Sequence, residues 1–295
     1  MIPDYAEELD FENRLPCGQA PILTQSVQRF HAFLQFIMQS RELTGYATMG
    51  VVTGAAGVGK TMAVQTFLQA LHPRAYSGFP ACVSIKVPPR ATAKALAKLL
   101  IHTLNGESAT HNIYDLEALV TDAIRRTDLD LVLVDEGDWL TVESFEMLRH
   151  VFDRTGCPIV LVGLPRLLRV ITQHEKFVSR VGLHLEFLPP TQEEVLTTIL
   201  PGLKLPYWQY RPEDSADQQM GIQLWQRVGP SLRKLRVVLQ YASQIAQARQ
   251  AERITPEILA ETQRLTLLPH LPPPRQPAPA AGPYEAASEQ RPPRA

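Results

Sequence analysis

The chain has 295 residues and is 45% hydrophobic, enough for one large or two modest cores. Its 29 Lys and Arg stand against 30 Asp and Glu, which excludes a global basic field, so any nucleic-acid contact must come from a local patch. Cys17, Cys82 and Cys157 are odd in number and widely spaced, which argues against a disulfide framework, and neither a signal peptide nor a membrane-spanning apolar run is present, so a cytoplasmic protein without membrane contact is expected.

Residues 1–23 form an acidic arm (Asp4, Glu7, Glu8, Asp10, Glu12) closed by Pro16, Gly18 and Pro21, a composition that predicts a mobile or draped extension. Thr24 then caps a helix whose Val27, Phe30, Phe33, Leu34, Ile37 and Met38 fall on one face. A short apolar strand, 48–53, leads into Gly54-Ala55-Ala56-Gly57-Val58-Gly59-Lys60-Thr61, followed by Met62 and a helix to Leu71. This is G-x-x-x-x-G-K-[ST]: glycines let the backbone turn and approach a phosphate, the helix N-terminus offers N–H groups, Lys60 reaches the β- and γ-phosphates, and the Thr61 hydroxyl is a ligand for Mg²⁺.

A second strand is predicted over 81–87, then a helix over 91–105 with Lys94 and Lys98 one turn apart and Arg90 just before it, a charged face able to meet phosphates. Asp115 is the expected cap of the next helix. Leu131-Val132-Leu133-Val134-Asp135-Glu136 reads as a central parallel strand ending in two carboxylates, Asp135 to hold Mg²⁺ and Glu136 to orient or deprotonate the attacking water. A helix over 141–154, a strand over 159–162, a helical stretch to Ile171 and a strand over 183–188 complete five strands alternating with helices.

After Pro189-Pro190 no further strand is predicted. Thr191 to Glu194 is a capping box, 201–214 is irregular and aromatic, Ser231 caps a helix to about residue 251 carrying Arg233, Lys234 and Arg236, and Thr255-Pro256 opens another helix. Beyond Leu268 nine prolines among alanines predict a disordered or polyproline-like tail. The expected organisation is therefore an arm (1–23), a nucleotide-binding domain (24–189), a helical lid (190–268) and a tail (269–295).

This arrangement over about residues 25–267 resembles AAA+ ATPases, which implies an α/β fold: a five-stranded parallel P-loop sheet with helices on both faces, followed by a small all-helical lid. The resemblance makes Arg180, in Phe177-Val178-Ser179-Arg180, an arginine finger for a neighbouring subunit, and Arg233, in Gly229-Pro230-Ser231-Leu232-Arg233-Lys234-Leu235, the nucleotide sensor, with Arg236 the second candidate. Within AAA+ proteins, Val134-Asp135-Glu136-Gly137-Asp138-Trp139-Leu140, Ile159-Val160-Leu161-Val162-Gly163-Leu164-Pro165, Ser179-Arg180, Pro189-Pro190-Thr191 and Arg253-Ile254-Thr255-Pro256-Glu257 are most similar to the transposition regulators: TnsC, TniB and phage Mu B proteins, with ExeA-type ATPases nearby. The resemblance implies an ATP- and Mg²⁺-dependent protein that forms a homo-oligomeric ring or filament on double-stranded DNA and recruits a transposase, with the arm and tail as docking segments for it or for a target-selector protein. It also makes Arg90, Thr92, Lys94 and Lys98 the DNA contacts. One position departs from the family: at the end of the fourth strand, where a polar residue usually helps position water, this chain has Gly163 and Leu164, with Thr155 a nearby polar substitute. The alternatives are an ExeA-type signalling or secretion ATPase not acting on DNA, and a helicase loader gripping single strands.

Overall fold

The computed structural model describes residues 21–71, 81–105 and 112–262. The acidic arm up to residue 20, Cys17 and the proline-rich tail lie outside the described residues.

Helix α1 (Gln25–Thr44) is followed by β1 (Met49–Thr53), α2 (Lys60–Ala70), β2 (Cys82–Lys86), α3 (Ala93–Asn105), α4 (Ile113–Thr127) and β3 (Leu131–Asp135). Then come a 3₁₀ turn (Gly137–Trp139), α5 (Val142–Thr155), β4 (Ile159–Gly163), α6 (Arg166–Thr172), α7 (Glu175–Val178) and β5 (Val181–Glu186). The strands form one parallel sheet in the order β2-β3-β4-β1-β5. Alternation along the strands divides the core between its two faces. Val132, Val134, Ile159 and Leu161 pack with α3, α4 and α5 through Leu96, Leu116 and Phe145, whereas Leu131, Leu133, Val160 and Val162 pack with α1 and α2 through Phe30, Leu34 and Phe67. Continuous apolar strands are what a sheet covered on both sides demands.

The chain order skips across the sheet between β1 and β4, which are paired although β2 and β3 lie beyond β4. The carboxyl ends of β1, β3 and β4 therefore meet at a switch point, where open α/β sheets bind ligands.

Several predicted boundaries move. Helix α4 is capped by Asn112, whose side chain accepts from Asp115 N–H; Asp115 sits in the first turn, where its charge suits the helix dipole but its side chain is not the cap. Strand β5 runs over Val181–Glu186 rather than 183–188, because Met49 N–H bonds the Arg180 carbonyl and starts the pairing earlier. Thr24, Thr141, Thr191, Ser231 and Thr255 all cap helices through their side-chain oxygens.

Among the described residues after β5, the regular elements are helical apart from an isolated bridge between Leu205 and Trp208. A short helix α8 (Gln192–Glu194) passes through a π-turn (Val195–Ile199) into α9 (Leu200–Gly202); Pro201, which has no N–H to continue the ladder, accounts for the irregularity. Helix α10 (Ser215–Val228), which the sequence pattern did not predict, is capped by Asp214. Helices α11 (Leu232–Ala248) and α12 (Pro256–Glu261) follow. Trp208 and Tyr210 in the irregular stretch are buried, and Asp217 of α10 accepts from Trp208 Nε1 (2.9 Å) and Arg211 N–H (2.9 Å), which pins that stretch to the helices. The capping box at Thr191 is half formed: Thr191 accepts from Glu194 N–H, but the Glu194 carboxylate reaches Gln25 N–H at 2.6 Å and ties the start of α1 to these later helices.

Candidate nucleotide site at the carboxyl edge of the sheet

The loop Gly54–Gly59 joins β1 to α2 at the switch point. Gly57 and Gly59 have φ of 76° and 109°, left-handed values that a side chain would oppose, and this lets successive N–H groups converge at the α2 N-terminus. Val58 turns inward and is buried against the α1–α2 core, while Ala55 and Ala56 face solvent and Met62 is half-buried in the first turn of α2.

Lys60 Nζ donates to the Gly54 and Ala55 carbonyls, each at 2.8 Å, so its ammonium lies inside the loop. Thr61 Oγ1 donates to Asp135 Oδ2 at 2.8 Å across 74 residues of sequence. Asp135, at the end of β3, is 4% exposed and also accepts Glu136 N–H through Oδ1. Burial pushes the Asp135 carboxyl up against the opposing hydrogen bonds from Thr61 and Glu136, and burial likewise pulls Lys60 down against the attraction of Asp135. Both shifts have one cause: the pocket disfavours charge on its own groups and would favour a partner that compensates them. Thr61 and Asp135 offer hard oxygen donors without a wider cage, since among the described residues no group of three or more His, Cys, Asp or Glu is placed for a metal. That donor set fits Mg²⁺, which keeps most of its water and takes few protein ligands.

Glu136 follows the strand at φ 56°, in the left-handed region. Its carboxylate lies 3.4 Å from Lys86 Nζ at the end of β2. Lys86 therefore belongs to the site, although its meaning depends on β2 and β3 being neighbours, which a local pattern does not reveal.

Arg233 stands at the start of α11, its N–H 3.3 Å from the Gly57 carbonyl, and a Cβ on Gly57 would lie 2.9 Å from Ser231 Oγ. The N-terminus of α11 is thus seated on the phosphate loop, and the Arg233 charge is felt at Lys60.

Arg180 is not in this cluster. Its carbonyl accepts from Met49, at the start of β1, while the phosphate loop follows the end of β1. A five-residue strand puts roughly 16 Å between the two positions, at opposite edges of the sheet. The guanidinium is bound by Asp153 of α5, Nε to Oδ1 at 3.1 Å and Nη2 to Oδ2 at 3.2 Å, and Arg149 holds the same carboxylate at 3.0 Å.

Of the four residues expected to touch DNA, Arg90 (φ 54°) and Lys94 are exposed and Lys98 is half-exposed, on the loop and helix that follow Lys86. Thr92 is exposed, but its hydroxyl accepts Ala95 N–H at 3.3 Å as a cap of α3. Thr155 does not replace a polar residue at the end of β4: it bonds the Val151 carbonyl and Cys157 N–H before β4 begins, at the other edge of the sheet. The group that does stand at the end of β4 is Asp138, which accepts Leu164 N–H at 3.0 Å and Arg166 Nε at 2.7 Å.

Comparison with known proteins agrees with this architecture. Residues 42–171 match the family model described as AAA domain. A 59-residue stretch is 32% identical to a Staphylococcus aureus protein described as a potential ATP-binding protein, a match spanning 20% of this chain and only 22% of that protein. The ORC2 protein of Aeropyrum pernix, solved in ADPNP-ADP complexes, is similar with a TM-score of 0.64 at 17% identity, over 85% of this chain and 69% of that one. The ORC1 protein of the same organism, solved in complex with DNA, gives a TM-score of 0.59 at 18% identity, over 89% and 67% of the two chains. Residues 42–171 thus match an AAA domain by sequence, and the described chain has the five-stranded AAA+ P-loop fold.

Proposed function

We propose that this protein is an ATPase that binds double-stranded DNA without regard to sequence, assembles on it as a homo-oligomer while ATP is bound, presents the site to a transposase and is released by hydrolysis. The observation that carries the nucleotide part is the Thr61–Asp135 hydrogen bond beside Lys60, which joins the phosphate loop to the acidic end of β3. The AAA domain match and the ATP-binding relative support ATPase activity.

In this reading the loop N–H groups and Lys60 bind the phosphates, and Thr61 and Asp135 hold Mg²⁺, which supplies charge neutralisation when bound. Glu136 accepts a proton from the attacking water after leaving Lys86. Arg233 touches nucleotide from α11. Arg180, too far from its own loop, serves the loop of a neighbouring subunit, so the active site is completed only by assembly. Arg90, Lys94 and Lys98 grip phosphates, and the A. pernix ORC1–DNA complex shows that a protein of like fold binds DNA. The transposase and target-selector partners rest on the motif resemblance, as does a cytoplasmic location; among the described residues no helix is long and apolar enough to cross a membrane.

Fluorescence anisotropy of a labelled random duplex, with ATP, ADP or no nucleotide at two salt concentrations, tests the reading. Cooperative, salt-sensitive binding with ATP alone is expected, and Lys60→Ala should abolish it while weakening ATP binding about 30-fold, as removal of a charge-assisted hydrogen bond worth roughly 2 kcal/mol implies. Preference for single strands would favour a helicase loader. No DNA binding with ATP bound would favour an ExeA-type ATPase acting on proteins alone.

A further inference from the structure

The end of β4 carries no polar side chain, and the structure explains why. A Cβ added to Gly163 would lie 2.7 Å from Asp138 Oδ1 and 3.2 Å from Asp138 N, so the space a side chain would use is already filled. Asp138 reaches it from the 3₁₀ turn after β3. Its side chain is 3% exposed, yet both oxygens have donors: Leu164 N–H on Oδ1 (3.0 Å) and Arg166 Nε on Oδ2 (2.7 Å). Arg166 is itself fixed by the Trp139 ring, with its guanidinium carbon 4.7 Å from the centroid. A buried carboxylate held by a backbone amide and by an arginine that itself lies over a tryptophan is fixed in one orientation, and the paired charges cost a nearby phosphate little repulsion.

We propose that Asp138, wedged against Gly163 and clamped by Arg166, is the water-positioning residue of the ATPase reaction. The inference rests on the ATPase reading above. Attack requires the water oxygen in line with the γ-phosphorus, one proton passing to Glu136 as the P–O bond to the ADP leaving group breaks, giving ADP and phosphate. The second water proton needs an acceptor to fix the oxygen's direction. An Asp oxygen accepts two hydrogen bonds, and Oδ1 spends one on Leu164 N–H, which leaves the other for water. Gly163, against which Asp138 is wedged, accepts the N–H of Gly54, the first residue of the phosphate loop, at 3.2 Å through its carbonyl, and after Asp135, Asp138 is the acid whose charge acts most on Lys60.

The test is steady-state phosphate release by the full chain with DNA present, alongside binding of a fluorescent ATP analogue, for the unmodified protein, Glu136→Gln, Asp138→Asn and Arg166→Lys. Asp138→Asn should lower kcat ten- to a hundredfold, roughly what a misplaced reactant costs, with nucleotide Kd within about threefold. Arg166→Lys should lower kcat about threefold to tenfold, since a point charge fixes a carboxylate less firmly than a planar fork. A kcat within twofold of the unmodified chain for Asp138→Asn overturns the proposal, and so does a parallel loss of binding and turnover. If Asp138→Asn does not fold by circular dichroism, an unchanged kcat in Arg166→Lys overturns it. An unmodified chain that binds ATP without turning it over would refute the ATPase reading, and the proposal with it. An active unmodified chain, an inactive Glu136→Gln and a fully active Asp138→Asn would sink the proposal alone.

Discussion

The groups that would act on one nucleotide fall into two regions built on different principles. At the carboxyl edge of the sheet, Lys60, Thr61 and Asp135 are at least partly buried and bonded within one subunit at 2.8 Å. At the amino edge, Arg180 is one-third exposed and held by Asp153 and the Ser179 hydroxyl. The first region is complete in a single chain. The second is bonded within a single chain, and in the proposed reading it acts on the loop of another chain, which would mean exchanging one anion, Asp153, for a different one. The contrast therefore predicts that binding and hydrolysis separate by residue: the carboxyl edge sets affinity, and the amino edge sets turnover.

The sharpest way to break that contrast is Arg180→Ala. Removing an arginine finger lowers turnover about a thousandfold or more, whereas nucleotide affinity of the dilute protein should stay within a few-fold. Phosphate release measured at several protein concentrations checks it, because the unmodified chain should gain specific activity with concentration and the variant should not. If Arg180→Ala turns over normally, the guanidinium is only the partner of Asp153 and the two regions are unrelated.

Glu136→Gln comes next, with an expected loss of about a hundredfold in turnover and longer-lived DNA complexes. Dissociation of labelled duplex after a chase measures this, and faster release would contradict a hydrolytic role. The Lys86–Glu136 pair adds a sharper form: these groups are 45% and 39% exposed, so the pair is weak and hydrolysis need only displace it.

Legibility follows the same division. The phosphate loop is a contiguous pattern whose glycines answer to local backbone geometry, and the β3 carboxylates follow an apolar run that only a covered strand tolerates, so both could be read from residues in order. Five strands and their parallel pairing were readable for the same reason, but not their order in the sheet. What escaped depended on neighbours distant in sequence. Lys86 meets Glu136 because β2 pairs with β3, Asp138 meets Leu164 across 26 residues, and Asp153 meets Arg180 across 27. The missing side chain at Gly163 was visible, but its cause was not, because a glycine does not announce which atom occupies its space. Helix α10 is harder to read because it follows directly on the irregular aromatic stretch, although Asp214 is an ordinary capping residue followed by helix formers.

A smaller effect is expected on the basic face. Lys94→Glu with Lys98→Glu should weaken duplex binding and reduce the slope of log affinity against log salt by about two units, one for each phosphate no longer neutralised, while ATP binding is spared. An unaltered slope would remove these residues from the DNA surface and leave Arg90 as the remaining cation of the expected set.

The smallest expected effect bears most directly on the two regions. Asp153 is shared by Arg149 and Arg180, so replacing it with Asn should release Arg180 while Arg149 keeps Glu146 at 2.7 Å. A partly exposed ion pair contributes about 0.2–1 kcal/mol, and removing that cost favours productive assembly by no more than about fivefold. Asp153→Asn should therefore raise turnover modestly at limiting protein concentration and leave it unchanged at saturation, where assembly no longer limits. Decreased turnover at saturation would mean that Asp153 orients Arg180 toward the neighbour, an aiming device instead of a competing anion, and the measurement separates these roles because only a competitor is overcome by concentration.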